Sequence, residues 1–327
     1  METCKMSDMK NLVGSVLVLT ISLILAGCSG QDDVTLESGK PPTETDADVV
    51  KIVTSFSMIE DMAADIGGEH AEVINLAPIG TDPHEYEPKP DDMKNIARSD
   101  LVFYNGLNLE GGDKGWLSKV LNTTDYPVRN AVELTRDVEP LYIGDKDNKE
   151  VNPHAFIDPH VGEKMIRTIT DTLVEKNPKN KEYFRKNEEE YLKELHQIEK
   201  DYDEQMSSIP GEDRVFVTSE QAFQYLTTRY HLKEGYIWAI DTEENGSPEQ
   251  IKNLVQFIEE NEPPVLFVES NVDTRPMETV SRESNVPIYE KPLYSDEIGK
   301  KGEEGDTYLS YLKYNLEVIT DGLSTNE

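Results

Sequence analysis

Residues 181–206, KEYFRKNEEEYLKELHQIEKDYDEQM, carry a long and highly charged helical pattern. Apolar side chains recur in it at steps of three and four residues, with one gap, which predicts a helix with a narrow apolar face. No helix terminator occurs before Pro210 and Gly211. We expect this helix to run along the outside of two lobes and to join them. Its apolar residues are Phe184, Tyr191, Leu195, Ile198 and Tyr202.

Short strands alternate with helices on both sides of this helix. This order predicts an α/β fold of two lobes, each a parallel β-sheet flanked by helices and joined by the one long helix. Pro90, followed by two acids, and Ser247, with Gln250 three residues on, mark helix starts. Strands are predicted at 49–54, 72–76, 101–104, 215–218, 236–240, 265–268 and 287–289, and helices at 58–66, 113–121, 222–229, 248–260 and 308–323, with others from Pro90 and Pro276.

The pattern divides the chain into five segments. Residues 1–27 are predicted to be a lipoprotein signal peptide, and 28–48 a lipidated cysteine with a disordered polar tether. Residues 49–180 are predicted to form an N-terminal metal-binding lobe and 181–209 the linking helix. Residues 210–327 are predicted to form a C-terminal metal-binding lobe.

Composition excludes several classes of protein. The 327 residues carry a formal net charge of −33, and a surface this acidic repels phosphate backbones, which argues against a nucleic-acid partner. Hydrophobic residues make up only 36% of the chain, too few for a polytopic membrane protein. The 25 aromatic residues, 15 Tyr, 8 Phe and 2 Trp, suffice for a folded core. We therefore expect an acidic globular protein, acting as a monomer.

The N-terminus predicts where the protein acts. Residues 12–26 are an apolar run too short to span a bilayer comfortably, and they end in Leu-Ala-Gly before Cys28. This resembles a bacterial lipobox, in which Cys28 is lipidated and becomes the new N-terminus. The predicted location is the outer face of the cell membrane of a bacterium, most simply a Gram-positive one. Translation from Met9 rather than Met1 would give a more typical basic start.

Two histidines and two carboxylates are the candidate chemical groups. His84 and His154 lie in loops bounded by prolines, which restrict the orientations of an imidazole. Glu220 follows the strand at 215–218, and Asp296 lies beyond the strand at 287–289. All four are predicted near carboxyl ends of parallel strands, where α/β folds bind ligands. Taken singly, the pattern around each of these residues favours a solvated surface position over a binding site.

The chain as a whole resembles the TroA-like metal receptors of ABC importers. These are solute-binding lipoproteins for manganese, iron or zinc, some of them first described as surface adhesins. The similarity covers essentially the whole mature chain. The matching segments are residues 80–88, 152–159, 218–223, 242–250, 267–276 and 302–308.

The resemblance implies one metal ion held between two lobes by four side chains. Carried over by position, these are His84 and His154 from the first lobe and Glu220 and Asp296 from the second. Zinc receptors of the family usually have histidine at the position of Glu220 and a histidine-rich loop after His84, and this chain has neither. The resemblance therefore favours Mn(II), or Fe(II), as the single cargo ion, with Zn(II) as the alternative. Two carboxylates and two neutral imidazoles would neutralise a divalent cation.

The implied function is capture of the ion outside the membrane and delivery to an importer, with its permease and ATPase as partners. The alternatives are a zinc receptor of the same family, an adhesin or interaction lipoprotein, and a metallohydrolase. Hydrolysis needs an open coordination position and a base. The sequence has no HExxH motif or nucleophile elbow, and no second metal cluster is apparent in it. We therefore do not expect an enzyme.

Overall fold

The structure, a computed structural model, describes residues 48–143, 150–211, 214–240 and 246–324. The predicted signal peptide, the predicted lipidation site Cys28 and the tether up to residue 47 lie outside the described residues. No helix among the described residues is long and apolar enough to cross a membrane.

A four-stranded parallel sheet forms the first half of the fold. Its order is β2-β1-β3-β4, with β1 at Val50–Phe56, β2 at Ala71–Ala77, β3 at Leu101–Tyr104 and β4 at Ala131–Glu133. The central strand β1 is almost continuously buried, as expected for a parallel strand covered on both faces. The three strands predicted in this region are confirmed, whereas the short β4 was not predicted.

Three helices connect these strands. They are α1 at Ser57–Gly67, α2 at Pro90–Arg98 and α3 at Trp116–Thr123. Helix α2 begins as predicted, because proline at its first position needs no hydrogen-bond donor and its first-turn acids face the positive end of the helix dipole.

The segment between the first sheet and the long helix contains a ribbon and a further helix. Tyr142–Ile143 (β5) pairs antiparallel with Glu150–Val151 (β6). Helix α4 spans Pro159–Lys176, and the side chain of Asp158 accepts a hydrogen bond from the His160 N–H at its start. The sequence patterns assigned no helix over these residues.

The long helix α5 spans Lys181–Ser208, as predicted. All five predicted apolar residues are buried, and the gap in their spacing is filled by the buried Glu188, which receives a hydrogen bond from Arg185 at 2.9 Å. Helix α5 packs on α1 and α4, which precede it in the chain. After it, α6 at Gln224–Tyr230 and α9 at Tyr308–Leu323 also pack on α5. The helix therefore contacts elements from both halves of the chain.

A second parallel sheet lies in the second half. Strand β7 at Val215–Glu220 pairs with β8 at Lys233–Trp238. Strand β8 overlaps the strand predicted at 236–240, but it begins three residues earlier and ends two residues earlier. The strands predicted at 265–268 and 287–289 are present only as single parallel bridges, Leu266 with Ile288 and Glu269 with Leu293. Prolines before and within these segments lack the N–H that a longer ladder requires.

Three helices complete this half, and two of them start with a capping box. Helix α7 at Pro248–Asn261 starts with the predicted capping box between Ser247 and Gln250, and α8 spans Arg275–Ser284. Helix α9 starts with a second capping box at Thr307.

One buried apolar cluster runs from β1 to α9, and a smaller one lies among β7, β8, α7 and α8. The described residues, from Asp48 onwards, belong to one compact unit. The observed sheets, their helices and the long helix agree with the predicted α/β class. The lobe boundaries near residues 181 and 209 stay a prediction.

The packing of α5 leads to a stability prediction. Leu195→Ala removes a fully buried side chain and is expected to lower the free energy of unfolding by about 2–5 kcal/mol, because a cavity forms. The matched Lys193→Ala, on an exposed position of the same helix, is expected to change it by at most about 0.5 kcal/mol. Urea unfolding followed by circular dichroism measures both values. Equal effects would show that the apolar face of α5 contributes no packing energy.

Candidate metal centre

His84 lies in the loop between β2 and α2. The loop is anchored by the Trp116 indole, which donates to the carbonyl of Pro83 at 2.8 Å, and by the Tyr86 hydroxyl, which donates to Asp92 at 2.7 Å. Asp82 accepts from the His84 backbone N–H at 2.7 Å. These contacts fix the backbone that presents the imidazole. The side chain of His84 is 8% exposed.

His154 opens a short 3₁₀ turn, His154–Ile157, and is fully buried. Asn152 orients it: the amide oxygen accepts from the His154 backbone N–H at 3.0 Å and lies 2.8 Å from the ring Nδ1. The amide nitrogen of Asn152 donates to the carbonyl of Gln221 at 2.9 Å, which settles which end of the amide faces the histidine. Nδ1 of His154 must then carry the proton, and Nε2 presents a lone pair.

Glu220 is the last residue of β7 and is 1% exposed. Its backbone N–H donates to the carboxylate of Glu269 at 2.9 Å, and the Ser219 N–H donates to the other oxygen at 3.2 Å. Glu269 thus fastens the end of β7 to the neighbouring segment. Burial raises the pKa of Glu269 to about 7, which the two backbone hydrogen bonds partly oppose.

Asp296 comes from the chain after the second parallel bridge and is 3% exposed. Its Oδ2 accepts from Asn271 Nδ2 at 3.2 Å and from the Ser295 hydroxyl at 2.9 Å. Its Oδ1 is buried and accepts no hydrogen bond from the described residues. One carboxylate oxygen is therefore held by the protein, and the other is left to face the two histidines.

The structure brings the four predicted side chains together. Nε2 of His84 lies 3.1 Å from Nε2 of His154 and 3.5 Å from Oδ1 of Asp296. Nε2 of His154 lies 3.1 Å from Oδ1 of Asp296 and 3.6 Å from Oε1 of Glu220. His84, His154 and Asp296 form the tightest group, and Glu220 adjoins it beside His154.

Burial controls the charges at this site. It lowers the pKa of His154, so the imidazole is neutral at pH 7, although the nearby Asp296 opposes this shift. Burial alone would raise the pKa of Asp296, but the two imidazoles, positive whenever protonated, outweigh it and hold that pKa well below its usual range. The site thus combines ionised carboxylate with neutral imidazole.

Such a set of donors suits one divalent transition metal ion. Ligands that share an ion at about 2.1 Å lie about 3–3.6 Å apart, and the four measured separations fall close to this range. Nε2 of His154 and Oδ1 of Asp296, which accepts no hydrogen bond from the described residues, are 3.1 Å apart, an arrangement that a cation stabilises. Mixed nitrogen and oxygen ligation accepts manganese, iron or zinc.

The supporting residues were less visible in the sequence than the four side chains. Asn152, Glu269 and Asn271 fall within the matching segments 152–159 and 267–276, but nothing in those segments indicates a supporting role. Glu269 and Asn271 act through contacts distant in sequence. His160, six residues after His154, lies on α4. Its backbone is capped by Asp158, and its side chain faces α5.

Comparison with known proteins places the chain in a family. Residues 52–322 match the family model described as zinc-uptake complex component A, periplasmic (ZnuA). The chain is 40% identical over 311 residues to a metal ABC transporter substrate-binding lipoprotein, ScbA, of Streptococcus cristatus, covering 94% of this chain and 97% of that protein. It is also 40% identical over 319 residues to the manganese ABC transporter substrate-binding lipoprotein PsaA of Streptococcus pneumoniae, covering 97% and 100%.

Solved structures agree with this fold. A Mn-bound mutant of a periplasmic metal-binding protein from Candidatus Liberibacter asiaticus superposes with a TM-score of 0.75 at 25% identity, covering 84% of this chain and 99% of that one. The periplasmic zinc-binding protein TroA from Treponema pallidum gives a TM-score of 0.76 at 23% identity with the same coverage. The chain belongs to the ZnuA/TroA family of metal ABC transporter substrate-binding proteins.

The contact between Asn152 and His154 yields a spectroscopic prediction. In the metal-free chain His154 should be the Nδ1–H tautomer and should titrate below the usual histidine pKa of about 6.5, because burial disfavours the imidazolium. Nitrogen and carbon NMR shifts of the labelled ring report both properties.

The variant Asn152→Leu tests this contact, since it keeps the size of the side chain but removes the hydrogen-bond acceptor. It should lose the tautomer preference. An Nε2–H tautomer in the unmutated chain, or titration of His154 near pH 6.5, would contradict this account of the site.

Proposed function

We propose that this protein captures Mn(II) outside the cell membrane and delivers it to an ABC importer. The observation that carries the proposal is the convergence of His84, His154, Glu220 and Asp296, nearly all buried, on one point. We assign these four side chains as the metal ligands. The ion is the cargo, so the site must both hold it and release it.

The preference for manganese rests on two arguments. The carboxylate of Glu220 stands where the sequence resemblance places histidine in zinc receptors, and oxygen ligands suit Mn(II) better than an all-nitrogen set does. Several relatives of about 40% identity are named for manganese. Fe(II) has similar ligand demands. Zn(II) binds nitrogen and oxygen sites more tightly in general, so selectivity for manganese must come from coordination geometry.

The proposed partners are the permease and ATPase of the importer, together with a membrane. Relatives named as lipoproteins support a lipid anchor on Cys28, and two acyl chains would hold the protein stably where one would be marginal. We place the protein on the outer face of the cell membrane as a monomer.

The zinc-receptor alternative differs only in the cargo. No observation favours the adhesin or the metallohydrolase, and relatives named as transporter components support a role without catalysis.

Removal of one proposed ligand tests the site. Glu220→Gln should weaken Mn(II) binding by at least about 100-fold, since loss of a ligand should exceed the cost of losing an outer partner. Glu260→Gln, exposed on α7, is the matched control and should leave affinity unchanged. Calorimetric titration of the metal-stripped chain should give one Mn(II) per chain for the unmutated protein. Mn(II) affinity that survives Glu220→Gln would remove Glu220 from the ligand set.

A second variant tests the choice of metal. Glu220→His replaces a carboxylate by an imidazole at the same position and should shift preference from Mn(II) towards Zn(II). Competition between the two ions, with bound metal counted by mass spectrometry, measures the ratio. An unchanged ratio would mean that Glu220 does not determine selectivity.

A further inference from the structure

Two His-x-x-Glu pairs face each other on neighbouring helices, away from the site described above. His160 and Glu163 are three residues apart on α4, and His196 and Glu199 are three residues apart on α5. Residues with this spacing project from the same face of a helix. Because α4 and α5 pack together, the pairs meet across the helix interface.

The distances within this interhelical cluster fit a shared ion. Oε2 of Glu163 lies 3.2 Å from Nε2 of His196, and Oε1 of Glu199 lies 3.8 Å from Nδ1 of His160. One donor atom from each of Glu163, His196 and Glu199 falls within 4.8 Å of the other two. Tetrahedral ligands of Zn(II) at about 2.0–2.1 Å lie about 3.3 Å apart, so small side-chain movements suffice.

Two atoms of this cluster lack the partners that burial normally demands. Oε1 of Glu199 and Nε2 of His160 are shielded from solvent, yet neither makes a hydrogen bond with the described residues. The nearest groups of opposite kind are 3.8 Å away, too far for a hydrogen bond. The side chain of Glu199 is 12% exposed, and burial raises its pKa, which His160 opposes. A cation between the helices would satisfy this carboxylate.

The charges around the cluster also favour a cation. Arg167 binds the other oxygen of Glu163, with its Nε at 2.8 Å from Oε1, and so leaves Oε2 for His196. Asp203 adds a further negative charge, 3.8 Å from Nε2 of His160. With Glu163, Glu199 and Asp203 ionised, Arg167 offsets only one of the three negative charges.

We propose that Glu163, His196 and Glu199 form a second metal site, for Zn(II). His160, whose Nδ1 lies 3.8 Å from Oε1 of Glu199, becomes the fourth ligand after a small side-chain movement. Two imidazoles and two carboxylates are ligands that zinc accepts, and by raw affinity zinc outcompetes manganese at such a site. The exposed fraction of His196, 48%, gives an ion direct access from solvent, in contrast to the enclosed central site. An ion bound here would cross-link α4 to α5.

This proposal departs from the expectation, drawn from the sequence, that there is no second metal cluster. It does not depend on the identity of the cargo or on the ligands of the central site. Its consequence is that zinc can bind without entering the central site, and can stiffen the contact of the long helix with α4.

Counting bound zinc in variants of the full chain tests the proposal. Native mass spectrometry at buffered free Zn(II) should find one ion fewer in His196→Gln than in the unmutated chain. His160→Gln should weaken the same ion by at least about tenfold. Glu190→Gln, exposed on α5 and paired with Lys186, is the matched control and should bind as many ions as the unmutated chain.

The difference in count separates this site from the central one. If the central ligands were wrong, both counts would fall together and the difference of one would remain. Zinc should also raise the melting temperature of the unmutated chain more than that of His196→Gln, because the cross-link is lost. Equal zinc counts, or a loss of the ion in Glu190→Gln as well, would overturn the proposal.

Discussion

The close approach of two buried electron-pair donors, an imidazole nitrogen and a carboxylate oxygen, is the constraint on which the rest of the structure depends. The lone pair of His154 Nε2 and the unpartnered Oδ1 of Asp296 are 3.1 Å apart in a region shielded from water. Without a cation, this arrangement costs free energy, because neither group is hydrated. The surrounding protein must therefore hold each donor against repulsion until an ion arrives.

Three of the four donor residues are held by polar contacts from outside the centre. Asn152 sets the tautomer of His154, Asn271 holds one oxygen of Asp296, and Glu269 binds the backbone at Glu220. Asn152 and Asn271 bond atoms other than Nε2 of His154 and Oδ1 of Asp296, so these two atoms still face the centre. Outer contacts of this kind orient ligands and strengthen their basicity, and their loss weakens metal sites by about 10–100-fold. The metal affinity of the centre therefore depends on these supporting residues as well as on the ligands themselves.

The rest of the fold positions these supports. The two histidines follow strands or turns of the first half, whereas Glu220 and Asp296 belong to the second half. Helix α5 packs against elements of both halves, and the Tyr202 hydroxyl donates to the carbonyl of Leu312 at 2.8 Å, which ties α5 to α9. A buried helix face of this length links distant parts of one core, so the donors are presented from a common framework.

The sequence by itself determined the alternation of strands and helices, the start of α7 at Ser247 and the extent of α5, because these follow from local periodicity and capping. It also identified the four converging side chains, through motifs rather than spacing. Only the tertiary structure decided the tautomer of His154, the role of Glu269 and the reduction of two predicted strands to bridges. The same holds for the meeting of His160 and Glu163 with His196 and Glu199. These features depend on contacts between residues far apart in the chain, and local sequence patterns carry no information about which helix faces pack together.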